Sequence, residues 1–273
     1  MKKRNIILWT LLILIIVYVL DGLISPLTVR RYRVKTDKVT GRVTFAVISD
    51  LHDTAYGKNQ KRLLKKIDAA SPDAILMTGD ILNENSDNPN SRALITELVK
   101  RYPVYAVTGN HECYTKAVKT ECVRAYEEMG VTLLSASCVD FAVRGQHVCI
   151  IGIDDPVNGN HIDTQLESVR PLMSETAFNL LLSHRPEENE FSSYVREGYD
   201  LVLSGHMHGG QWRFPPFING LVAPDRSFFP DHAGGRYERD NTTMIVSRGL
   251  AKNTSVPRFF NPPELVIVDL VPD

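Results

Sequence analysis

The chain has 273 residues, of which 43% are hydrophobic and 23% charged, with a net charge of −1. That length and balance allow one large buried core and exclude wholesale disorder. The near-neutral charge removes the electrostatic reason to expect a nucleic-acid partner.

The first element stands apart from the rest. Lys2, Lys3 and Arg4 precede the run IILWTLLILIIVYVL, in which Thr10 is the one residue of Ile6–Leu20 that is not apolar. As a helix this run spans about 22 Å, against about 30 Å for a bilayer's hydrocarbon core. A secretory signal peptide, a short membrane anchor and a core helix all fit such a run. No small-x-small cleavage site follows in DGLISPLTVRRY, which weighs against a cleaved signal. A core helix would carry a polar face, and none is present. Trp9 and Tyr18 stand near the two ends, where interfacial aromatics are favoured. Residues 1–27 are therefore expected to form an uncleaved, single-pass anchor in the cell membrane. Lys2, Lys3 and Arg4 favour an extracytoplasmic domain, although Arg30, Arg31, Arg33 and Lys35 pull the other way. Residues 28–42, polar and basic, read as a juxtamembrane linker, and 43–273 as one domain.

From residue 43 a rhythm begins. VTFAVIS (43–49) is a strand-like apolar run, NQKRLLKKIDAA (59–70) a helix, and AILMTGD (74–80) the next strand. SRALITELVKRY (91–102) reads as a helix stopped before Pro103, VYAVTGNHE (104–112) as a strand, and VKTECVRAYEEMG (118–130) as a helix capped by Gly130. HVCIIGIDDP, AFNLLLSHRPE and YDLVLSGHMHGG complete a set of strands, and TTMIVSRGL and PPELVIVDL close the chain. Apolar strands alternating with helices predict a sheet buried on both faces, an α/β sandwich. Residues 211–237, rich in Gly, Pro and aromatics, read as an ordered loop. The four cysteines, Cys113, Cys122, Cys138 and Cys149, have no metal-type or redox spacing. Two disulfides or four buried thiols both fit them, and buried hydrophobes are the plainer expectation.

The chemistry lies just past the C-terminal ends of the apolar runs. There stand Asp50 and His52, then Asp80, then Asn110, His111 and Glu112, then His184, then His206 and His208. Ligands in open α/β sheets bind at that edge. Oxygen and imidazole donors without cysteine suit borderline divalent metals. The i, i+2 pairs Asp50/His52 and His206/His208 place both side chains on one side of an extended segment. Gly79, Gly109 and Gly205 precede donors where the backbone must turn or pack closely, and the glycines after His208 are expected to leave room for a phosphate. His147, His161 and His232 lack such a setting and read as structural or surface residues.

SDLHD, TGDIL, TGNHE, LLSHRPE and SGHMHGG, in this order, resemble the signature blocks of the calcineurin-like metallophosphoesterases. GHMHGGQW, with GIDDP before it and SRGL after it, is further similar to the membrane-associated bacterial branch, some of whose members hydrolyse UDP-diacylglucosamine or other phosphodiesters. The resemblance implies a four-layer α/β/β/α sandwich over about residues 43–270 and two divalent ions, Mn, Fe or Zn. Asp50, His52, Asp80 and His208 would hold the first ion. Asp80, Asn110, His184 and His206 would hold the second, with Asp80 bridging. His111 would not bind metal but would serve catalysis, with Glu112 holding it in place. Asp53, where relatives carry a small or apolar residue, would cap a turn or contact substrate.

A bridging carboxylate offsets the repulsion of two cations about 3.5–4 Å apart, and such a pair yields a hydroxide nucleophile near neutral pH. His111, with an ordinary pKa near 6.5, can protonate the leaving oxygen. The sequence thus predicts a membrane-anchored phosphoesterase acting on a phosphodiester or pyrophosphate bond, in a lipid-linked or envelope molecule, by direct attack of that hydroxide. The competing readings are a non-catalytic, metal-stabilised scaffold and a nuclease. A nuclease would want a basic or aromatic groove, and the basic residues look scattered along the chain.

Overall fold

The structure, a computed structural model, describes residues 2–84, 86–224, 226–252 and 256–273. Met1, the first residue of the expected anchor, lies outside them. In chain order the elements are helix α1 (Lys2–Leu23), strands β1 (Thr28–Lys35) and β2 (Val43–Ile48), α2 (Lys61–Ala70), β3 (Ala74–Met77), α3 (Pro89–Leu98), β4 (Val104–Ala106), α4 (Lys116–Met129), β5 (Thr132–Leu133), β6 (Ser137–Val143) and β7 (Gln146–Gly152). There follow α5 (Ile162–Val169), β8 (Phe178–Leu182), α6 (Glu188–Glu197), β9 (Leu201–Ser204), β10 (Gly235–Arg239), β11 (Thr242–Val246) and β12 (Glu264–Val271).

Two six-stranded sheets result. The first has the order β1-β12-β2-β3-β4-β5, and the second β10-β11-β9-β8-β7-β6. The period of two along each strand builds the layers. In β2, Phe45 and Val47 face the second sheet and pack with Val148, Ile150, Leu180 and Leu203. Ala46 and Ile48 face the other way, onto Leu63, Leu64 and Ile67 of α2 and onto α3 and α4. The second sheet turns its outer face to α5 and α6 through Ile151, Leu181, Val202, Leu166, Phe191 and Tyr194. This is the α/β/β/α order of layers, with both strand faces dry. Local signals set the helix ends: the Thr115 hydroxyl accepts the amide of Val118 to start α4, and Gly130, at φ 83°, ends it.

The expected linker is corrected by the structure. Residues 28–35 form β1, paired in parallel with β12 over the register Thr28↔Glu264 to Lys35↔Val271. Arg30, Arg33 and Lys35 disguise it, because an edge strand tolerates exposed charge. Val34 is nevertheless buried, Arg31 reaches Asp269 at 2.8 Å, and Lys38 reaches Asp200 at 2.7 Å. α5, α6, β6 and β10 also carried too weak a period to be read from sequence.

The apolar N-terminal run is helical as expected, and every large hydrophobic side chain from Ile7 to Leu20 is exposed. α1 meets the body near its C-terminal end, where Tyr18 lies against Phe259 and Phe260 and the Gly22 carbonyl accepts the Phe260 amide. Among the described residues no helix is long and apolar enough to cross a membrane. In α1 the basic start and Asp21 confine the uninterrupted apolar run to Ile6–Leu20. Among the described residues no disulfide is seen; three of the four cysteines are buried and Cys138 is partly exposed.

Candidate metal centre

β2, β3 and β4 are parallel neighbours in the first sheet, and β8 and β9 in the second. Their C-terminal edges meet at one place, and the donors collect there. Asp50, His52 and His208 have ligand atoms within 4.8 Å of one another, as do Asp80, His184 and His206, and also His52, Asp80 and His111. Every residue expected to bind metal except Asn110 thus falls in one of these groups. Asn110 lies on the same loop as His111, with its Oδ1 buried and unpartnered.

The backbone of the cluster is unusual. Asp50, His52, Asp80, His206 and His208 all have positive φ, between 45° and 69°. Few side-chain-bearing residues adopt that region, and their concentration here marks a strained, over-determined site. Close contacts explain the glycines between the strands and the donors. A Cβ on Gly205 would stand 1.9 Å from Ser49 Oγ, and one on Gly109 would stand 2.2 Å from Asp80 Oδ1. The glycines after His208 serve differently from expectation. A Cβ on Gly209 would strike Asn261, and one on Gly210 would strike Gly220, so protein rather than phosphate fills that space.

Hydrogen bonds orient the donors. His184 Nδ1–H donates to the Thr78 carbonyl at 2.8 Å, leaving Nε2 to face Asp80 Oδ2 at 3.2 Å. His52 Nδ1–H donates to Asn83 Oδ1 at 2.9 Å, and its Nε2 lies 3.5 Å from Asp80 Oδ2. Asp50 accepts the His206 amide and the Ser49 hydroxyl, with His208 Nε2 3.5 Å away. Such partners fix the tautomer and aim of a metal-ligating imidazole. His206 is held differently: the Arg185 guanidinium, gripped by Asp155, donates to its Nε2 at 2.8 Å. Its Nδ1 then faces His184 Nε2 at 3.2 Å. A lone pair at Nδ1 requires the proton on Nε2, a tautomer to which Arg185 cannot donate. Ligation through Nδ1 would therefore exchange the Arg185 contact for Glu187 Oε1, 3.7 Å away.

The electrostatics fit a cation. Burial alone would raise the Asp80 carboxyl, but the imidazoles of His184, His52 and His111 hold it well below its ordinary value. Burial works against protonation of His184, yet the Asp80 carboxylate overrides it and raises that imidazole to about 10. The centre of the site is a negative potential that draws positive charge. Burial lowers His208 to about 3, leaving it neutral and free to ligate. His52 Nε2, Asn110 Oδ1 and His208 Nδ1 are buried and lack a hydrogen-bond partner. Orphaned buried donors and acceptors are costly, and all three belong to residues expected to bind metal, so the residues present fit divalent cations.

The supporting role of Glu112 takes another form than expected. Glu112 does not touch the His111 ring. It is fully buried and accepts the backbone amides of Asp80, Ile81, Leu82 and Gly109 and the Tyr126 hydroxyl, each at 2.8–2.9 Å. It therefore clamps the Asp80 loop to the loop carrying Asn110 and His111. The partner of His111 Nδ1 is Glu84, at 2.5 Å, and Asp80 Oδ1 accepts the His111 amide. Sequence reading missed Glu84 and Arg185; both lie within or beside the motifs, but nothing in their spacing tells which way they face. Asp53 caps α3, accepting the amides of Asn90 and Ser91 at 2.8 Å. His232 is structural: its Nδ1–H donates to the Pro186 carbonyl, and its ring packs on Phe191 and Tyr237. His147 pairs with Asp140 at the surface, and His161 is exposed ahead of α5.

A four-layer sandwich with Asp, Asn and His converging on the carboxyl edges of its strands defines a metal-dependent hydrolase of the phosphoesterase class. The profile of the calcineurin-like phosphoesterases matches residues 43–210, and the chain belongs to that family. It is 27% identical to a metallophosphoesterase of Aquifex aeolicus over 89% of this chain and 92% of that protein. It is 30% identical to YpbG of Bacillus subtilis over 84% of this chain and 81% of that one. A Bos taurus protein named as a transmembrane protein with a metallophosphoesterase domain is 28% identical over 75% of this chain, which spans 48% of it. Among solved structures, the phosphopantetheinyl hydrolase of Mycobacterium tuberculosis superposes with a TM-score of 0.50 at 16% identity, over 81% of this chain and 96% of that one. TT1561 of Thermus thermophilus gives 0.51 at 12%, over 78% and 92%. These likenesses establish the fold. With the family membership, the chain is a metal-dependent phosphoric ester hydrolase.

Proposed function

We propose that the chain uses two divalent cations to hydrolyse a phosphodiester or pyrophosphate bond, in a lipid-linked or envelope molecule, at a membrane surface. The observation that carries the two-cation reading is Asp80 Oδ2, which faces Nε2 of His184 at 3.2 Å and Nε2 of His52 at 3.5 Å. One carboxylate thereby addresses both donor sets. Asp50, His52, Asp80 and His208 would hold one ion, and Asp80, Asn110, His184 and His206 the other. Mn, Fe and Zn all suit this oxygen and imidazole set. When bound, such ions neutralise charge on phosphoryl oxygens and acidify water at neutral pH.

The chain's own residues supply the rest. His111 is half-buried at the mouth, its ring 4.5 Å from that of His52. Glu84 engages Nδ1 and leaves Nε2 free for the leaving oxygen. Burial lowers the His111 pKa, but Asp80 and Glu84 outweigh it and raise it above the ordinary imidazole value, which favours the protonated form that a proton donor needs. Glu112 holds the two loops at fixed separation, which limits the reorganisation needed at the transition state.

The membrane part rests on α1. Its apolar side chains are exposed on every face, from 41% at Val19 to 65% at Trp9. A helix apolar all round is normally covered, and patches of that size mark interaction sites.

The test uses purified protein loaded with Mn, Fe or Zn, with metal content and hydrolysis of an aryl phosphodiester measured together. About two ions per chain with turnover is the expected result. Two bound ions without turnover on any aryl or lipid-linked phosphate would favour the scaffold reading instead.

A further inference from the structure

The loop that follows the last metal-site histidine carries a second apolar surface. Trp212, Phe217, Phe228 and Phe229 are exposed by 39%, 89%, 69% and 61%. They belong to a loop whose backbone is paired at several points. The Phe214 and Ile218 backbones pair, as do Val222 and Phe228, and Trp212 bridges to Phe259. The Trp212 indole N–H donates to the Pro257 carbonyl at 2.9 Å. Exposed aromatics on a pinned backbone are not explained by folding, since nothing in the core uses them.

This surface is continuous with α1. Tyr18 of α1 packs on Phe260 and Phe259, at centroid distances of 4.7 and 6.2 Å. Phe259 in turn packs on Phe214 at 5.5 Å and Trp212 at 6.3 Å. An unbroken run of aromatic contacts thus joins the exposed helix to the loop. Cations stand near it: Arg226 is exposed in the loop and Arg30 near the start of β1, just after α1, with Asp231 the exposed acid that follows the loop. Aromatic side chains flanked by cations match the interfacial layer of an anionic bilayer. The loop follows His208 in the chain, with Trp212 four residues on, so it starts at the metal centre's edge.

We propose that the exposed aromatics Trp212, Phe217, Phe228 and Phe229 of this loop form a second lipid-contacting element, which seats the mouth of the metal centre on an anionic phospholipid surface. Its substrate class follows: a phosphoryl group carried by a molecule whose tail stays in the bilayer. The inference rests on the attachment of α1 to a membrane, and the experiment separates the two.

Trp9 and Trp212 are the two tryptophans of the chain. In full-length Trp9→Phe, Trp212 becomes the sole indole reporter. The protein is mixed with vesicles of phosphatidylcholine and phosphatidylglycerol, with and without brominated acyl chains, and binding is followed by flotation. Trp212 emission is expected to shift to the blue and fall about twofold with brominated lipid, as for an interfacial indole. Adding Phe217→Ser, Phe228→Ser and Phe229→Ser should abolish that quenching, with the thermal midpoint unchanged as proof of folding. Vesicle-bound protein with unquenched Trp212 overturns the loop's role and leaves α1 attachment standing. Quenching that survives the three serine substitutions also overturns it. Protein that does not float with vesicles overturns both ideas. A blue shift without vesicles, together with a dimeric sedimentation coefficient, would assign the surface to a second copy of the chain and overturn the lipid partner.

Discussion

The two sheets contribute unlike chemistry to one site. The first sends Asp50, His52, Asp80 and Asn110 from β2, β3 and β4, and with them both carboxylates. The second sends only imidazoles: His184, His206 and His208, from β8 and β9. Two of the three ligand groups need both edges: Asp50 and His52 take His208 from the other sheet, and Asp80 takes His184 and His206. The negative charge is thus gathered on one sheet, where buried Glu112 fixes its spacing. The second sheet closes it with neutral or protonated rings. The apolar layer between the sheets, with Phe45, Val47, Leu180 and Leu203, is therefore part of the active-site architecture.

The sharpest way to break this comparison is Asp80→Asn, which removes the carboxylate that faces imidazoles of both donor sets. Turnover of an aryl phosphodiester should fall by about 10³-fold or more, and bound metal should fall with it. His184→Ala, its partner across the sheets, should come close to the same loss. A His184→Ala variant with full metal content and activity would show that the first sheet suffices alone.

Glu112→Ala tests the clamp within the first sheet. It leaves four backbone amides and a tyrosine hydroxyl without their acceptor, at about 3 kcal/mol or more of stability, read by urea denaturation. If the variant unfolds at the wild-type midpoint, Glu112 is not what spaces the two loops.

Removing His111 asks whether the mouth of the site does proton transfer. His111→Ala should slow esters with poor leaving groups by about 10²-fold or more and activated aryl esters far less; equal losses would sink its role as donor. Glu84→Gln should give a smaller loss and a proton-donor limb at lower pH, because one of the carboxylates that raise His111, after Asp80, is gone.

The smallest effect belongs to the edge strand. Burial would raise the Asp269 carboxyl, but Arg31, Thr44 and Arg42 outweigh it and lower it. A lowered folded-state value means that this stabilisation is present above the unfolded value of about 3.9 and is lost as pH falls through the folded one. Asp269→Asn should cost about 1–2 kcal/mol at neutral pH and less below about pH 4. A difference independent of pH would remove the ion pair as the reason β1 stays docked.

Much of this was legible because each strand-end motif carries its donors within a few residues. Asp50 to His52 and His206 to His208 are local patterns, and apolar runs of β-branched residues mark the strands that carry them. The alternation of α and β, and the cap at Gly130, follow from equally local rules. What resisted reading was direction. Glu112 and Glu84 are both carboxylates near His111, yet Glu112 turns inward to five donors while Glu84 turns to the ring. Arg30, Arg31 and Arg33 looked like linker because a solvated edge strand and a basic linker share a composition. The glycines after His208 looked like space for phosphate, whereas Asn261 and Gly220 fill it.

By itself, then, the sequence determined which residues could ligate, at which strand ends they stand, and the class of chemistry they suit. Periodicity and donor type are properties of short segments. Only the tertiary structure decided which donor meets which. It set Asp80 between His184 and His52, gave His111 to Glu84, and joined the loop after His208 to α1 through Phe259. Those pairings depend on how two sheets, more than a hundred residues apart in places along the chain, pack face to face.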